Sequence, residues 1–381
     1  MWPPGKAWLS RGRLGKGNQK PPLLIESSIY KCNNPNMTDR EKLHPEHSKP
    51  GVYVSKGKAF ERDMRYIDDR IVADPANTPK KHDGQVLWPV EAGRYRLAAA
   101  KACPWANRTL IVRRLLGLED AISLALAGPT HDERSWTFDL DEGGVDPVLG
   151  IERLQQAYFA RFPDYPRGIT VPAIVEVESG QVVTNDFNQI TLDFSTEWTA
   201  FHREGAPDLY PEALRDEMDQ LMHWVFTEVN NGVYRCGFAG SQEAYDDAFE
   251  RLFTALDRLE ERLTGQRFLM GESITEADVR LFTTLARFDV VYYSHFKCNR
   301  QQLRDFPALW AYARDLYQMP GFGDTIDFQQ IKDHYYIVQK SVNPTGIVPL
   351  GPDTSVWMEP HGREALSDRP WGDGTAPQPV E

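Results

Sequence analysis

One cysteine in this sequence stands where chemistry is expected. In Lys101-Ala102-Cys103-Pro104-Trp105-Ala106-Asn107-Arg108 it follows a strand-like run, Arg94 to Ala99, and precedes a helix-like run, Leu110 to Leu118. Proline is favoured at the first helical position because its missing N–H would have no partner there. Pro104 therefore predicts a helix start, with Cys103 as its cap. A cap sulfur faces free backbone N–H groups and the positive end of the helix dipole, and both favour the nucleophilic thiolate. The chemistry this predicts is attack on sulfur or on an electrophilic carbon. The plainer alternative is an inert, buried cysteine at a turn. No second cysteine stands two residues on, so a dithiol mechanism is not available and a mixed disulfide on Cys103 would need an external thiol to resolve it.

The other potential ligands are dispersed. Cys32, Cys103, Cys236 and Cys298 lie far apart in the chain and the 9 His residues are scattered, so no metal site is expected. So few cysteines in 381 residues point to reducing cytoplasm rather than a disulfide scaffold. The net charge of −12 and the lack of a concentrated basic face argue against nucleic acid as a partner. No apolar run reaches membrane-spanning length. A hydrophobic share of 41% is enough for packed cores.

The elements that must position Cys103 divide the chain. Arg94–Ala99 and Ala121–Leu126 read as strands, Pro104–Leu116 and Leu149–Phe162 as helices, and Gly117 as a helix stop. Thr170–Val177 and Gln181–Thr184 form a hairpin turning at Ser179-Gly180. Asn185 or Asp186 then caps another helix. This order predicts a small α/β module whose antiparallel hairpin closes a sheet begun by parallel strands. From Glu212 to Leu316 the period is helical, clearest over Tyr245–Leu263, and Thr275 with Asp278 makes a capping box. The expected organisation is a poorly ordered extension over 1–48, an α/β module with its lead-in over 49–206, an all-helical domain over 207–340 and a tail over 341–381. The start, rich in Gly, Pro, Lys and Arg, does not read as a secretory signal, and Met37 is a candidate true start. The tail from Asp368, rich in Pro, Gly and Asp, reads as loose. Arg108 and Arg113 read as solvated helix charges.

Taken together, Cys103-Pro104-Trp105-Ala106, Thr170-Val171-Pro172, Gly232–Ala239, Arg287–Asn299 and Asn343–Pro349 resemble the Xi-class glutathione transferases, also called glutathionyl-hydroquinone reductases. The resemblance runs from about Phe60 to Pro352. It implies an α/β thioredoxin-like N-terminal domain, with Pro172 cis, plus an all-α C-terminal domain: the glutathione transferase fold. It implies a homodimer acting on a small aromatic thiol conjugate, with glutathione as co-substrate and no tightly bound cofactor. By this resemblance Cys103 takes the thiol from an S-conjugated hydroquinone, while Tyr234 and Tyr292 face the aromatic substrate. Trp105, Trp136, Val171, Pro172, Asp186 and Phe187 would line the thiol site, and Phe238, Tyr293 and His295 the substrate pocket.

One departure bears on the thiol. The family opens the helix after the hairpin with Glu-Ser, whereas this chain reads Asn185-Asp186-Phe187. A ring replaces a hydroxyl, which weakens recognition of a γ-glutamyl carboxylate. Another low-molecular-weight thiol, such as mycothiol or γ-glutamylcysteine, is therefore a second expectation. Asn107 stands where the family often has His. A non-catalytic binding protein of the same fold is the alternative from another class, against which a cysteine at a helix cap argues.

Overall fold

The computed structural model describes residues 59–379, so the expectations for residues 1–48 and for Met37 lie outside the described residues. Two short strands come first, β1 (Arg70–Val72) and β2 (Leu87–Pro89), paired in parallel. The main sheet holds β3 (Tyr95–Ala99), β4 (Ile122–Leu126), β5 (Ala173–Glu176) and β6 (Gln181–Thr184) in the order β4-β3-β5-β6. β3 and β4 run parallel, and β5 and β6 are antiparallel to their neighbours, the mixed sheet the pattern predicted. Every residue of β3 is buried, as befits a central strand covered on both faces.

Three helices complete this domain: α1 (Pro104–Leu116), α2 (Gln155–Arg161) and α3 (Phe187–Thr196). The second is shorter than the sequence pattern suggested. α1 ends at Gly117, whose φ of 70° is left-handed and disfavours any side chain. A Cβ there would also stand 2.6 Å from Arg203 Cβ.

Six helices follow: α4 (Arg215–Val225), α5 (Gly232–Gly237), α6 (Gln242–Thr264), α7 (Glu276–Arg287), α8 (Pro307–Gln318) and α9 (Phe328–Asp333). Asp186 caps α3 by accepting from the Asn188 and Gln189 N–H groups. The Thr275–Asp278 capping box opens α7. Turns of π-helix extend three of these helices, over Phe226–Asn230 after α4, Phe288–Tyr292 after α7 and His334–Val338 after α9. Each inserts a residue and re-aims the side chains after it, a feature frequent at functional sites. Among the described residues no helix is long and apolar enough to cross a membrane.

Three expectations are corrected. Arg108 and Arg113 are not solvated: α1 is sandwiched between the sheet and the helical domain, and they are 0% and 8% exposed. Arg108 bonds Asn230 Oδ1 at 2.8 Å and Arg113 bonds the Ile122 carbonyl at 2.7 Å. The tail is not loose either. Within its described residues from Asp368, the Pro370 carbonyl accepts from the Ile274 N–H, the Thr375 N–H reaches the Gly205 carbonyl, and the Gln378 carbonyl accepts from Arg114. Its Pro and Gly content reflects an irregular path, not an absence of partners.

Candidate active site

β3 delivers the chain to the position where the sequence places its candidate nucleophile. After Ala99 the backbone turns, the Cys103 N–H donates to the Ala100 carbonyl, and α1 begins at Pro104 with Cys103 at its N-cap. The Val171–Pro172 peptide is cis, and the Cys103 thiol donates to the Val171 carbonyl at 3.6 Å. The Val171 N–H has no partner among the described residues, which leaves it available to an added extended chain. The turn is pinned from the other domain: fully buried Arg287 of α7 donates to the carbonyls of Lys101 at 2.7 Å and Ala102 at 3.1 Å. Asn107 accepts from the same guanidinium at 3.2 Å and donates to Thr325 Oγ1 at 2.7 Å.

The acidity of this thiol departs from the sequence expectation. Cys103 is 8% exposed, and burial pushes its thiol up from the ordinary value. The Ala106 and Trp105 N–H groups, then Arg287 and Arg62, pull the other way. The helix end does favour the thiolate, as expected, but desolvation of the charged sulfur outweighs it in the closed chain.

On one flank of Cys103 lies an aromatic stack. The Trp105 ring packs at 4.7 Å on Phe187, 5.8 Å on Phe226 and 5.9 Å on Tyr234. Phe187 is 3% exposed and also meets Tyr66 edge-on at 5.3 Å. The substituted ring at the start of α3 is thus core packing between the two domains. Burial pushes the Asp186 carboxyl up, and its Oδ1 is engaged by the Asn188 and Gln189 N–H groups. A cavity of about 310 Å³ opens beside it, lined by Tyr66, Asp186, Asn188, Gln189, Phe226 and Arg280, among others. A larger crevice of about 580 Å³ runs between Ile67–Asp69 and Arg161–Pro166, and Cys103 is not part of its lining.

Tyr234 joins this stack to a group of three phenols. The Tyr335 hydroxyl lies 2.7 Å from that of Tyr234 and 3.0 Å from that of Tyr292. Burial raises all three above the usual phenol value, so all stay protonated near neutral pH. Two hydrogen bonds among three hydroxyls leave one O–H proton to donate outward. Phe238 and Phe296 pack against Tyr234 at 6.2 Å and 5.4 Å. His295 stacks on Phe296 and bonds Gln339 Oε1 at 2.9 Å. Burial lowers its pKa to about 4, so it is neutral in the fold.

The structure does not bring every expected residue into this cluster. Tyr293 is half-buried and has no ring contact with it among the described residues. Trp136 lies apart from the Trp105 stack: it stacks on His334 at 4.9 Å and meets His131 at 4.7 Å. Sequence reasoning missed Tyr335, the hub of the three hydroxyls, and the lead-in residues Phe60 and Arg62, which cover the Trp105–Tyr234 face. Paired aromatics in Tyr335-Tyr336 were the only available signal for the first. Among the described residues no cluster of three or more His, Cys, Asp or Glu could hold a metal ion.

Comparison with known proteins follows the same division. Residues 102–196 match the family model described as glutathione S-transferase, N-terminal domain, and residues 242–315 match glutathione S-transferase, C-terminal domain. The chain is 42% identical to glutathionyl-hydroquinone reductase YqjG of Escherichia coli (strain K12) over 315 residues, covering 81% of this chain and 94% of that protein. It is 43% identical to glutathionyl-hydroquinone reductase PcpF of Sphingobium chlorophenolicum over 265 residues, covering 69% and 84%. A crystal structure of a glutathione transferase from Gordonia bronchialis aligns at 68% identity with a TM-score of 0.80, covering 83% of this chain and 96% of the other. The glutathione-bound structure of YqjG aligns at 42% identity with a TM-score of 0.72, covering 79% and 96%.

Proposed function

The chain belongs to the Xi-class glutathione transferases, the glutathionyl-hydroquinone reductases, and on that premise we propose that it is an enzyme removing glutathione from S-glutathionyl-hydroquinones through Cys103. The observation that carries the reading is the placement of Cys103 at the N-cap of α1, facing the Val171 backbone, with Trp105 two residues on packed against Tyr234 of the neutral phenols. Cys103 thiolate attacks the conjugate's sulfur. The sulfur–aryl bond breaks, its electron pair stays with the ring, and the ring takes a proton to become the free hydroquinone. The aryl carbon is reduced and the two sulfurs are oxidised to a mixed disulfide. A second thiolate attacks that disulfide, releases the oxidised dimer and restores Cys103.

The phenols suit the departing ring. A neutral O–H aimed at a substrate oxygen supports charge that develops as the bond breaks. Tyr234, Tyr292 and Tyr335 act as one hydrogen-bonded unit in this reading, with Phe238 and Phe296 as apolar walls. The thiol lies along Val171, its amine end toward Asp186 and the cavity beside it. The same reading makes the protein a cytoplasmic homodimer, which light scattering on the purified chain would check.

One observation favours a second reading of the thiol. Phe187 is committed to the aromatic core and Oδ1 of Asp186 to its own helix, so the start of α3 offers no hydroxyl of the family kind and one carboxylate oxygen is already engaged. A thiol with a different amine-side group would then replace glutathione. Mass spectrometry after incubation with an S-glutathionyl-hydroquinone, beside the same conjugate made with mycothiol, tests both. An adduct on Cys103 from the first, reversed by free glutathione and absent in Cys103→Ser, is the expected result. An adduct from the mycothiol conjugate alone keeps the mechanism and changes the thiol. No adduct from either refutes the proposal.

A further inference from the structure

The segment ahead of β1 belongs to neither domain's regular structure, yet it covers the reactive crevice. It is fastened at its end, where the Ile67 N–H donates to Asn185 Oδ1 at 2.8 Å and the Ile67 carbonyl accepts from Thr184 Oγ1 at 2.7 Å. Upstream, Phe60 is 6% exposed and packs on Tyr234 at 6.1 Å and Phe238 at 5.8 Å. Between these anchors, the Arg62 guanidinium lies 4.4 Å from the Trp105 ring centre and 4.7 Å from that of Tyr234. Its Nε donates to Asn231 Oδ1 at 2.6 Å. A cation is therefore held over the stacked rings of Trp105 and Tyr234, within electrostatic reach of Cys103.

The other groups facing the sulfur differ in position. Arg287 comes from α7, and its nitrogens are spent on the Lys101, Ala102 and Thr283 carbonyls and Asn107 Oδ1. Arg108 comes from α1 and lies against Trp105 at 4.7 Å, bonded to Asn230 and fully buried. The Tyr234 phenol from α5 is neutral. Arg62 comes instead from the lead-in segment and lies over Phe60, Trp105 and Tyr234, the last of them the phenol this reading turns toward the aromatic substrate. Two anions appear there in the reaction: the attacking thiolate and the ring that leaves with the electron pair of the broken bond.

We propose that Arg62 is a positioning residue for this chemistry, a cation supplied by the lead-in segment that favours the Cys103 thiolate and the departing aryl anion. The second half of this role rests on the hydroquinone reading and the first does not. Arg62 opposes the upward push of burial on the thiol, in line with the first half. A cation over aromatic faces is held without consuming its charge.

The test uses the full chain with Arg62→Met, Arg62→Gln and Arg62→Lys. Arg62→Gln keeps an N–H donor for Asn231 while removing the charge. The rate of Cys103 alkylation by iodoacetamide is followed across pH, and turnover of an S-glutathionyl-hydroquinone is measured beside it. Loss of the charge should raise the alkylation midpoint by about one pH unit, roughly tenfold less thiolate at neutral pH. It should lower kcat at least about tenfold with little change in KM, and Arg62→Lys should restore most of both. If Arg62→Met does not fold, Arg62→Gln carries the comparison. A wild-type alkylation midpoint in a folded neutral variant overturns the proposal. A shifted midpoint in a chain that turns over no hydroquinone conjugate upholds the thiolate role and refutes the hydroquinone reading instead.

Discussion

Replacing Tyr335 by Phe removes one oxygen and leaves the ring in place. That oxygen accepts or donates at 2.7 Å to Tyr234 and 3.0 Å to Tyr292. The ring itself is held by edge contacts with Tyr292, Phe296 and His334 at 5.7, 5.7 and 5.4 Å, which the substitution does not touch. Two hydrogen bonds at about 1 kcal/mol each put the loss of stability near 2 kcal/mol, read as a fall of several degrees in Tm. The catalytic loss follows from orientation. With the hub gone, the Tyr234 and Tyr292 hydroxyls are free to rotate away from the departing ring. A proton donor that is present but misaimed costs about 10- to 100-fold in kcat. KM should hardly move, because the ring faces that bind the substrate are unchanged. The assay is steady-state turnover of an S-glutathionyl-hydroquinone beside a thermal melt. A lower Tm with kcat within twofold of the parent would refute the reasoning, since the hydroxyl chain would then be a packing device without a part in catalysis.

Three further outcomes are expected. In Gly237→Ala the new Cβ would stand 2.3 Å from the Phe296 ring, so the ring must shift; the cost is about 1–3 kcal/mol, with turnover reduced and Cys103 alkylation unchanged. His295 is held neutral, its pKa lowered from 6.5 to about 4 by burial. A depressed histidine pKa contributes stability that is full above the unfolded value and lost as pH falls from 6.5 toward 4, about 3 kcal/mol in total. Urea unfolding of His295→Gln should therefore change less between pH 7 and 4.5 than the parent, and an equal change would count against the assignment. Phe187→Ser opens a void in the Trp105 stack, costing about 3–5 kcal/mol. It should also lower KM for glutathione, and an unchanged or higher KM would show that the ring does not limit thiol recognition.

Local pattern determined much of this protein. Pro104 after Cys103, Gly117 at a left-handed position, the Ser179-Gly180 turn and the Thr275–Asp278 box act within a few residues of themselves. Each therefore predicts its own cap, stop, turn or start wherever the chain goes next. The same holds for the individual strand patterns and for the helical period after Pro207. The Cys-Pro junction marked Cys103 as the cap of α1 for the same reason, because a helix end is a local structure with a local field.

Tertiary structure decided what meets what. Periodicity shows which side chains point inward but not whether the far side is solvent or another domain, and so Arg108 and Arg113 read as solvated when α1 is covered on both faces. Tyr234, Tyr292 and Tyr335 sit on separate helices, and two of them lie on π-turns, which leave no mark in spacing. Arg62 and Phe60 reach the crevice from a stretch without regular structure, and the tail is packed by partners more than a hundred residues away in sequence, as in the pair of Thr375 with Gly205. The thiol's acidity shows the division most directly. The helix end that favours the thiolate was legible in four residues, whereas the burial that opposes it comes from both domains closing over the sulfur. Desolvation depends on everything that surrounds a group, and only the folded chain supplies that.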